Sequence, residues 1–253
     1  AGFVGITICE KLLKQDPSLQ IIGIDNFSRP GSETNLKKLK KLGVPVYRLD
    51  VRLASDVESL QPTDWVIDCA ANPSVLAGMV DNTSSRQVME HNLLGTINLL
   101  EYCRRHEAGL ILLSTSRVYS ATKLARLPVK KSDFAFALND GYSTTGISSM
   151  GISEDFPTSP PISLYGASKL ASEILILEYG EAFGFPVWIN RCGVLAGAGQ
   201  FGKADQGIYS FWIHSFFAKK TLKFIGFKGS GLQVRDALHP KDLVPLLLGQ
   251  MQE

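Results

Sequence analysis

Apolar runs that read as buried strands alternate with amphipathic stretches along most of this chain. That alternation restricts it to a parallel sheet covered on both faces. Strand signals fall at residues 19–25, 44–49, 64–71, 110–115 and 186–191, with helical signals between them at 7–14, 84–105 and 163–183. Right-handed crossovers turn such a rhythm into a doubly wound sheet. Ligands of these sheets bind beyond the carboxyl ends of the strands. Asp25, Asp50, Ala71, Thr115 and Arg191 each close a strand signal and are expected to share one crevice.

At 253 residues and 45% apolar, the chain can fill one domain, or one and part of a second. A net charge of +2 carries no signal for a nucleic-acid or acidic partner. No apolar run is long enough to span a bilayer, and no signal peptide is visible. Cys9, Cys69, Cys103 and Cys192 are widely spaced among apolar residues, in no metal-ligand pattern. They are expected to be buried, reduced thiols of a cytoplasmic protein. His91, His106, His214 and His239 form no cluster, so no metal site is expected.

Two segments break the rhythm. Residues 121–159 are long, polar and aperiodic, and read either as a flap or as a disordered insertion. A Gly-rich stretch at 197–207 opens a region of different pattern: an aromatic helix at 207–219, short strands at 222–225 and 231–234, and a last helix led by His239-Pro240. The expected division is residues 1–196 as a dinucleotide-binding unit and 197–253 as part of a smaller substrate cap.

Ala1-Gly2-Phe3-Val4-Gly5 leads directly into a helical pattern, and Asp25 follows at the end of the next strand. Glycines at a helix entry let main-chain amides approach a pyrophosphate, and the helix N-terminus favours its charge. A carboxylate about 20 residues on accepts from a ribose diol and repels a 2′-phosphate, which points to NAD over NADP. Arg29 is a counter-signal. The chain starts inside this fingerprint, so a preceding first strand and a C-terminal end are expected to lie outside the sequence. A Gly-rich helix entry with a solvated Asp is the structural alternative.

Tyr165-Gly-Ala-Ser-Lys169 places a phenol and an ammonium on one helical face. A free phenol has a pKa of about 10. The nearby ammonium is expected to lower it, giving a base for an alcohol proton. On spacing alone, a solvated helical pair is the rival reading.

These features occur together with Asp25-Asn26-Phe27-Ser28-Arg29, Gly31-Ser32-Glu33-Thr34-Asn35-Leu36, Gly199-Gln200-Phe201, Asp205-Gln206-Gly207 and Gln233-Val234-Arg235-Asp236. In this order, end to end, the chain resembles the nucleotide-sugar epimerases and dehydratases of the extended short-chain dehydrogenase/reductases. The resemblance implies a Rossmann-like fold, NAD as cofactor and a nucleotide sugar as substrate. It also implies a homodimer or higher homo-oligomer built on the helices at 84–105 and 163–183. Ile97, Leu100, Leu170, Ile174 and Leu177 there are candidates for core or interface, with core the default.

By the same resemblance Thr115, Tyr165 and Lys169 form the catalytic set. Gly2, Phe3 and Val4 fall at the dinucleotide turn, and Asp25, Asn26, Ser28 and Arg29 at the adenosine. For Asn26 and Ser28 a plain turn is the rival reading. Asp50 and Val51 fall at the adenine, and Cys69, Ala70 and Ala71 at the wall beside the phosphates. Asn92, Ser114 and Val194 complete the cofactor residues; Val194 lacks the polar side chain common in relatives. Gln200, Phe201, Asp205, Gln206 and Arg235 fall at the substrate. Dehydratases of the family resemble each other in an Asp-Glu pair after the Thr, and Ser116-Arg117 stand there instead. Without an acid and base for elimination, epimerisation is the reaction expected, and the resemblance implies that it falls at C2 of the sugar. Another epimerase, dehydratase or reductase of the family, and a non-catalytic dinucleotide-binding scaffold, remain the alternatives.

Overall fold

The computed structural model describes residues 1–75, 79, 84–202, 207–224 and 229–253. The chain runs through α1 (Phe3–Gln15), β1 (Gly23–Ile24), α2 (Leu36–Lys41), β2 (Val46–Tyr47), α3 (Ala54–Glu58), β3 (Trp65–Asp68), α4 (Ser85–Met89), α5 (Gly95–His106) and β4 (Gly109–Thr115). It continues with α6 (Ala121–Ala125), strands β5 (Val129–Lys131), β6 (Phe136–Leu138), β7 (Ile147–Ser148) and β8 (Gly151–Ile152), then α7 (Leu164–Phe183) and β9 (Val187–Cys192). Last come β10 (Val194–Leu195), α8 (Ile208–Phe217), β11 (Ala237–Leu238) and α9 (Pro240–Gln250).

β4 is the centre of the molecule. It pairs in parallel with β3 on one side and β9 on the other. β1 pairs with β2, and β10 with β11, also in parallel. Side chains alternate along a strand, and β4 uses both sets. Leu110 and Leu112 pack with Leu99, Leu100 and Cys103 of α5 and Ile176 of α7. Ile111 and Leu113 pack with Ile8 and Leu12 of α1 and with Leu243, Val244 and Leu247 of α9. Helices therefore cover both faces, which is why the sequence is continuously apolar rather than alternating here. The architecture is the expected Rossmann-like α/β fold.

Several elements differ from the sequence reading. The strand at 19–25 shrinks to β1, while Leu19 and Ile21 join the core packed against α1 and α9. The strand at 64–71 stops at Asp68, whose Oδ1 accepts from the Ala70 N–H at 2.9 Å and turns the chain locally. The helix at 84–105 contains a π turn at Glu90–Leu94, where the Asn92 carbonyl accepts from the Thr96 and Ser172 hydroxyls. Residues 222–224 and 231–234 form no strand; Ile225 lies outside the described residues. There Phe224 packs on Trp212 and over Gly231, so side-chain stacking takes the place of a ladder.

Residues 121–159 are folded. α6 and the β5–β6 and β7–β8 hairpins lie around a small core of Val118, Tyr119, Ile147 and Phe156. The thiols are free, but Cys69 is exposed rather than buried because β3 has ended before it. No helix among the described residues is long and apolar enough to cross a membrane. Leu112 is fully buried in the α5–α7 layer. Leu112→Ala is expected to lower stability by about 2–5 kcal/mol, read as a lower urea midpoint at unchanged slope.

Candidate active site

The end of β4 and the start of α7 are built into each other. Thr115 Oγ1 accepts from the Arg117 N–H at 3.1 Å, closing a tight turn after the strand. Ser163 caps α7 by accepting from the Gly166 N–H at 3.1 Å. Gly166 lies so close to this turn that a β-carbon there would overlap the Arg117 carbonyl oxygen. The helix thus rests on the turn, and Tyr165 is brought beside Thr115. Both are buried, at 9% and 8% exposure, and Lys169 one turn further is at 1%.

Burial decides the electrostatics. Loss of water pushes the Tyr165 phenol above its ordinary pKa; the Thr115 hydroxyl and the Arg117 charge pull it back only in part. Burial likewise pushes the Lys169 ammonium down, against the Asp68 and Glu173 carboxylates that favour its charge. The lowering of the phenol expected from Lys169 is not the direction found: burial raises it, and the charge that opposes the rise is that of Arg117.

A second set of groups, not anticipated from the sequence, holds this pair. Glu173, on the next turn of α7, is buried and accepts from the Ser114 hydroxyl. Its other oxygen takes Arg191 Nε at 3.0 Å and Nη2 at 2.8 Å. Ser114, expected at the cofactor, thus turns its hydroxyl to Glu173. Arg191, expected in the crevice, is drawn to the same carboxylate. The i+4 spacing from Lys169 to Glu173 was the available signal. Asn92, also expected at the cofactor, is 1% exposed; its side chain bonds Asn72 N at 2.8 Å and Ser168 Oγ at 3.0 Å. It joins the loop after β3 to α7.

Most residues expected at the cofactor lie beyond the carboxyl ends of β1 to β4 or at the start of α1. Asp25, just past β1, accepts at Oδ1 from the Phe27 N–H at 2.7 Å. Gly2 is the residue that caps the N-terminus of α1. Asn26 reaches Asp50 at 3.1 Å, joining the ends of β1 and β2, and Asp50 is paired with Arg52. Val51 packs under Gly95, while Cys69, Ala70 and Ala71 are exposed just past β3. Ser28 donates its N–H to Asn26 Oδ1 at 3.0 Å, a turn contact. Arg29 extends to the Phe201 carbonyl at 3.4 Å. A glycine-led helix N-terminus and a carboxylate at the end of the next strand are groups that fit the pyrophosphate and ribose of a dinucleotide.

Gln200 bonds the Leu195 carbonyl at 2.9 Å, and half-exposed Phe201 lays its ring against Gly31, after β1. Val194 donates its N–H to the Asp236 carbonyl at 2.8 Å. Arg235 bonds Gln233 and the Val234 carbonyl; loss of water first, and then the Arg117 charge, push its guanidinium below the ordinary value. Asp205 and Gln206 lie outside the described residues.

Residues 1–253 match the NAD dependent epimerase/dehydratase family. The chain belongs to that family. It is 30% identical to CDP-paratose 2-epimerase of Salmonella typhi, over 97% of this chain and 70% of that protein. An uncharacterized UDP-glucose epimerase of Bacillus subtilis is also 30% identical, over 96% of this chain and 68% of the relative. The solved UDP-glucose 4-epimerase of Thermus thermophilus, in complex with NAD, is 26% identical with a TM-score of 0.73, covering all of this chain and 72% of its own. The protein is thus an NAD-dependent enzyme of the epimerase/dehydratase family, and the start of α1 after Gly2 with Asp25 at the end of β1 suits that cofactor. Thr115 favours the ionised phenol, so Thr115→Val should move Tyr165 ionisation to higher pH. Alkaline titration of phenolate absorbance, with Tyr165→Phe as the subtraction, checks this.

Proposed function

We propose that the protein inverts C2 of a nucleotide sugar, converting CDP-paratose to CDP-tyvelose through a transient 2-keto sugar. The observation that carries the reading is the placement of Tyr165 against Thr115, with Ser116-Arg117 following where elimination needs carboxylates. The 30% identity to a CDP-paratose 2-epimerase supports this choice of substrate. C4 inversion of a UDP-linked sugar is the second reading, favoured by the Bacillus subtilis relative.

In the first half-reaction Tyr165, ionised, takes the proton of the sugar hydroxyl, and Thr115 orients that hydroxyl. Lys169 holds the nicotinamide ribose and adds positive charge beneath the phenol. NAD supplies the reversible hydride acceptor. Once the keto sugar has turned in the pocket, its opposite face would meet the reduced cofactor for return of the hydride to C2, and Tyr165 gives its proton back to the C2 oxygen. Gly2, Phe3 and Val4 hold the cofactor diphosphate, and Asp25, Asn26, Ser28 and Arg29 its adenosine. Asp50 and Val51 border the adenine, while Cys69, Ala70, Ala71 and Val194 form the wall towards the nicotinamide. Asn92 and Ser114 serve that wall by fixing the elements around it. Residues from about 197 onward act as the cap, with Gln200, Phe201, Asp205 and Gln206 along the sugar and nucleoside, and Arg235 pairing with the diphosphate.

Purified protein assayed against a panel of nucleotide sugars, with product stereochemistry read by NMR, tests the substrate. Tyr165→Phe is expected to lower turnover by ~10²–10⁴-fold while NAD stays bound. Turnover in heavy water should leave no deuterium at C2; substantial incorporation there would refute hydride chemistry.

We further propose a homodimer through α5 and α7. Leu100 is core, but Ile174 and Leu177 are each 56% exposed on α7, an apolar pair that a partner would cover. Light scattering at micromolar concentration is expected to give twice the chain mass, and Ile174→Glu with Leu177→Glu to give the single mass. The free thiols suit a reducing compartment, and the cytoplasm is the location we propose.

A further inference from the structure

Arg191 makes contact with three parts of the molecule at once. It stands on β9, one residue before Cys192, which is paired with Thr115 across the sheet. Two of its nitrogens bind Glu173 on α7, as described above. The third, Nη1, donates to the Glu154 carbonyl at 3.0 Å, inside the 121–159 segment. Its guanidinium also lies 5.3 Å over the Tyr119 ring, and that ring meets Phe156 edge-on. An arginine at this point fixes position as well as charge, because its planar donors run in set directions.

The same segment has a second attachment. Phe136, on β6, donates its N–H to the Leu232 carbonyl at 2.9 Å. Leu232 is buried, and Arg235 follows three residues later. The 121–159 segment is therefore tied at Glu154 to the helix bearing Tyr165 and Lys169, and at Phe136 to the chain bearing Arg235.

We propose that Arg191 is a positioning residue and the 121–159 segment a brace: together they hold α7 and the Leu232–Arg235 stretch in one fixed relation, so that the reacting carbon and the diphosphate of a nucleotide sugar are gripped at a set separation. A lysine at 191 keeps a charge for Glu173 but has one nitrogen and cannot also span to Glu154. Brace and core are thereby separable by mutation. The catalytic half of this inference rests on reading Tyr165 and Lys169 as the reacting pair. The exchange measurement below does not, so an inactive wild type with the expected exchange pattern refutes that reading alone.

The test is hydrogen–deuterium exchange, read by mass spectrometry on the NAD-loaded protein. In Arg191→Lys the amides of residues 147–156 are expected to exchange about tenfold faster, with α7 and β4 as protected as in the wild type. On the nucleotide sugar that the wild type turns over, kcat should fall while KM and NAD affinity hold. In Phe136→Pro, which removes the N–H given to Leu232, residues 229–235 should exchange faster and KM should rise. Unchanged exchange at 147–156 in Arg191→Lys overturns the proposal. So does failure of that variant to fold, or faster exchange across α7 and β4, since Arg191 would then hold only the core. Unchanged exchange at 229–235 in Phe136→Pro removes the link to the cap.

Discussion

Burial of β4 on both faces is the constraint on which the rest depends. Successive residues of one strand enter two different cores, Leu110 and Leu112 towards α5 and α7, Ile111 and Leu113 towards α1 and α9. A strand held from both sides has one register and little freedom along its axis. Its last residue, Thr115, inherits that fixed position, and the turn closed on its hydroxyl passes it on to α7. The chemistry of the crevice thus begins as a packing problem solved in the middle of the sheet.

Water exclusion then sets the character of the site. A buried phenol and a buried ammonium each resist ionisation, so neither is poised by the other alone. Around Lys169 the protein gathers Asp68 and Glu173; around Tyr165 it offers Thr115 and Arg117. These groups moderate the desolvation without cancelling it. The cationic ring of bound NAD fits such a site on electrostatic grounds, since it adds the positive charge that a buried phenolate lacks.

Much of this was legible in the sequence, for identifiable reasons. The parallel sheet was readable because strands buried twice leave uninterrupted apolar runs, as at 110–115. The helix carrying Tyr165 and the Pro240 start of α9 were readable from spacing and from proline. Local turns were not: Asp68 ends β3 early through a hydrogen bond to a residue two positions on, which no periodicity records. Nor was the fate of Ser114, Asn92 and Arg191. Their residue types suit a polar crevice equally well, and only the fold brings them their partners, Glu173 and Ser168. The hairpins within 121–159 were hidden because their core is shared with Val118 and Tyr119, outside the segment.

The seat of Gly166 on the Arg117 carbonyl has one more consequence. Helix and turn meet there through main-chain atoms, so the separation of Tyr165 from Thr115 owes nothing to the side chains at 116 and 117. The side chains at those positions reach Tyr165 through charge instead, as the Arg117 guanidinium does by favouring the phenolate. Reactivity and distance at this turn are in this way separable, the one tuned by side chains and the other set by the main chain.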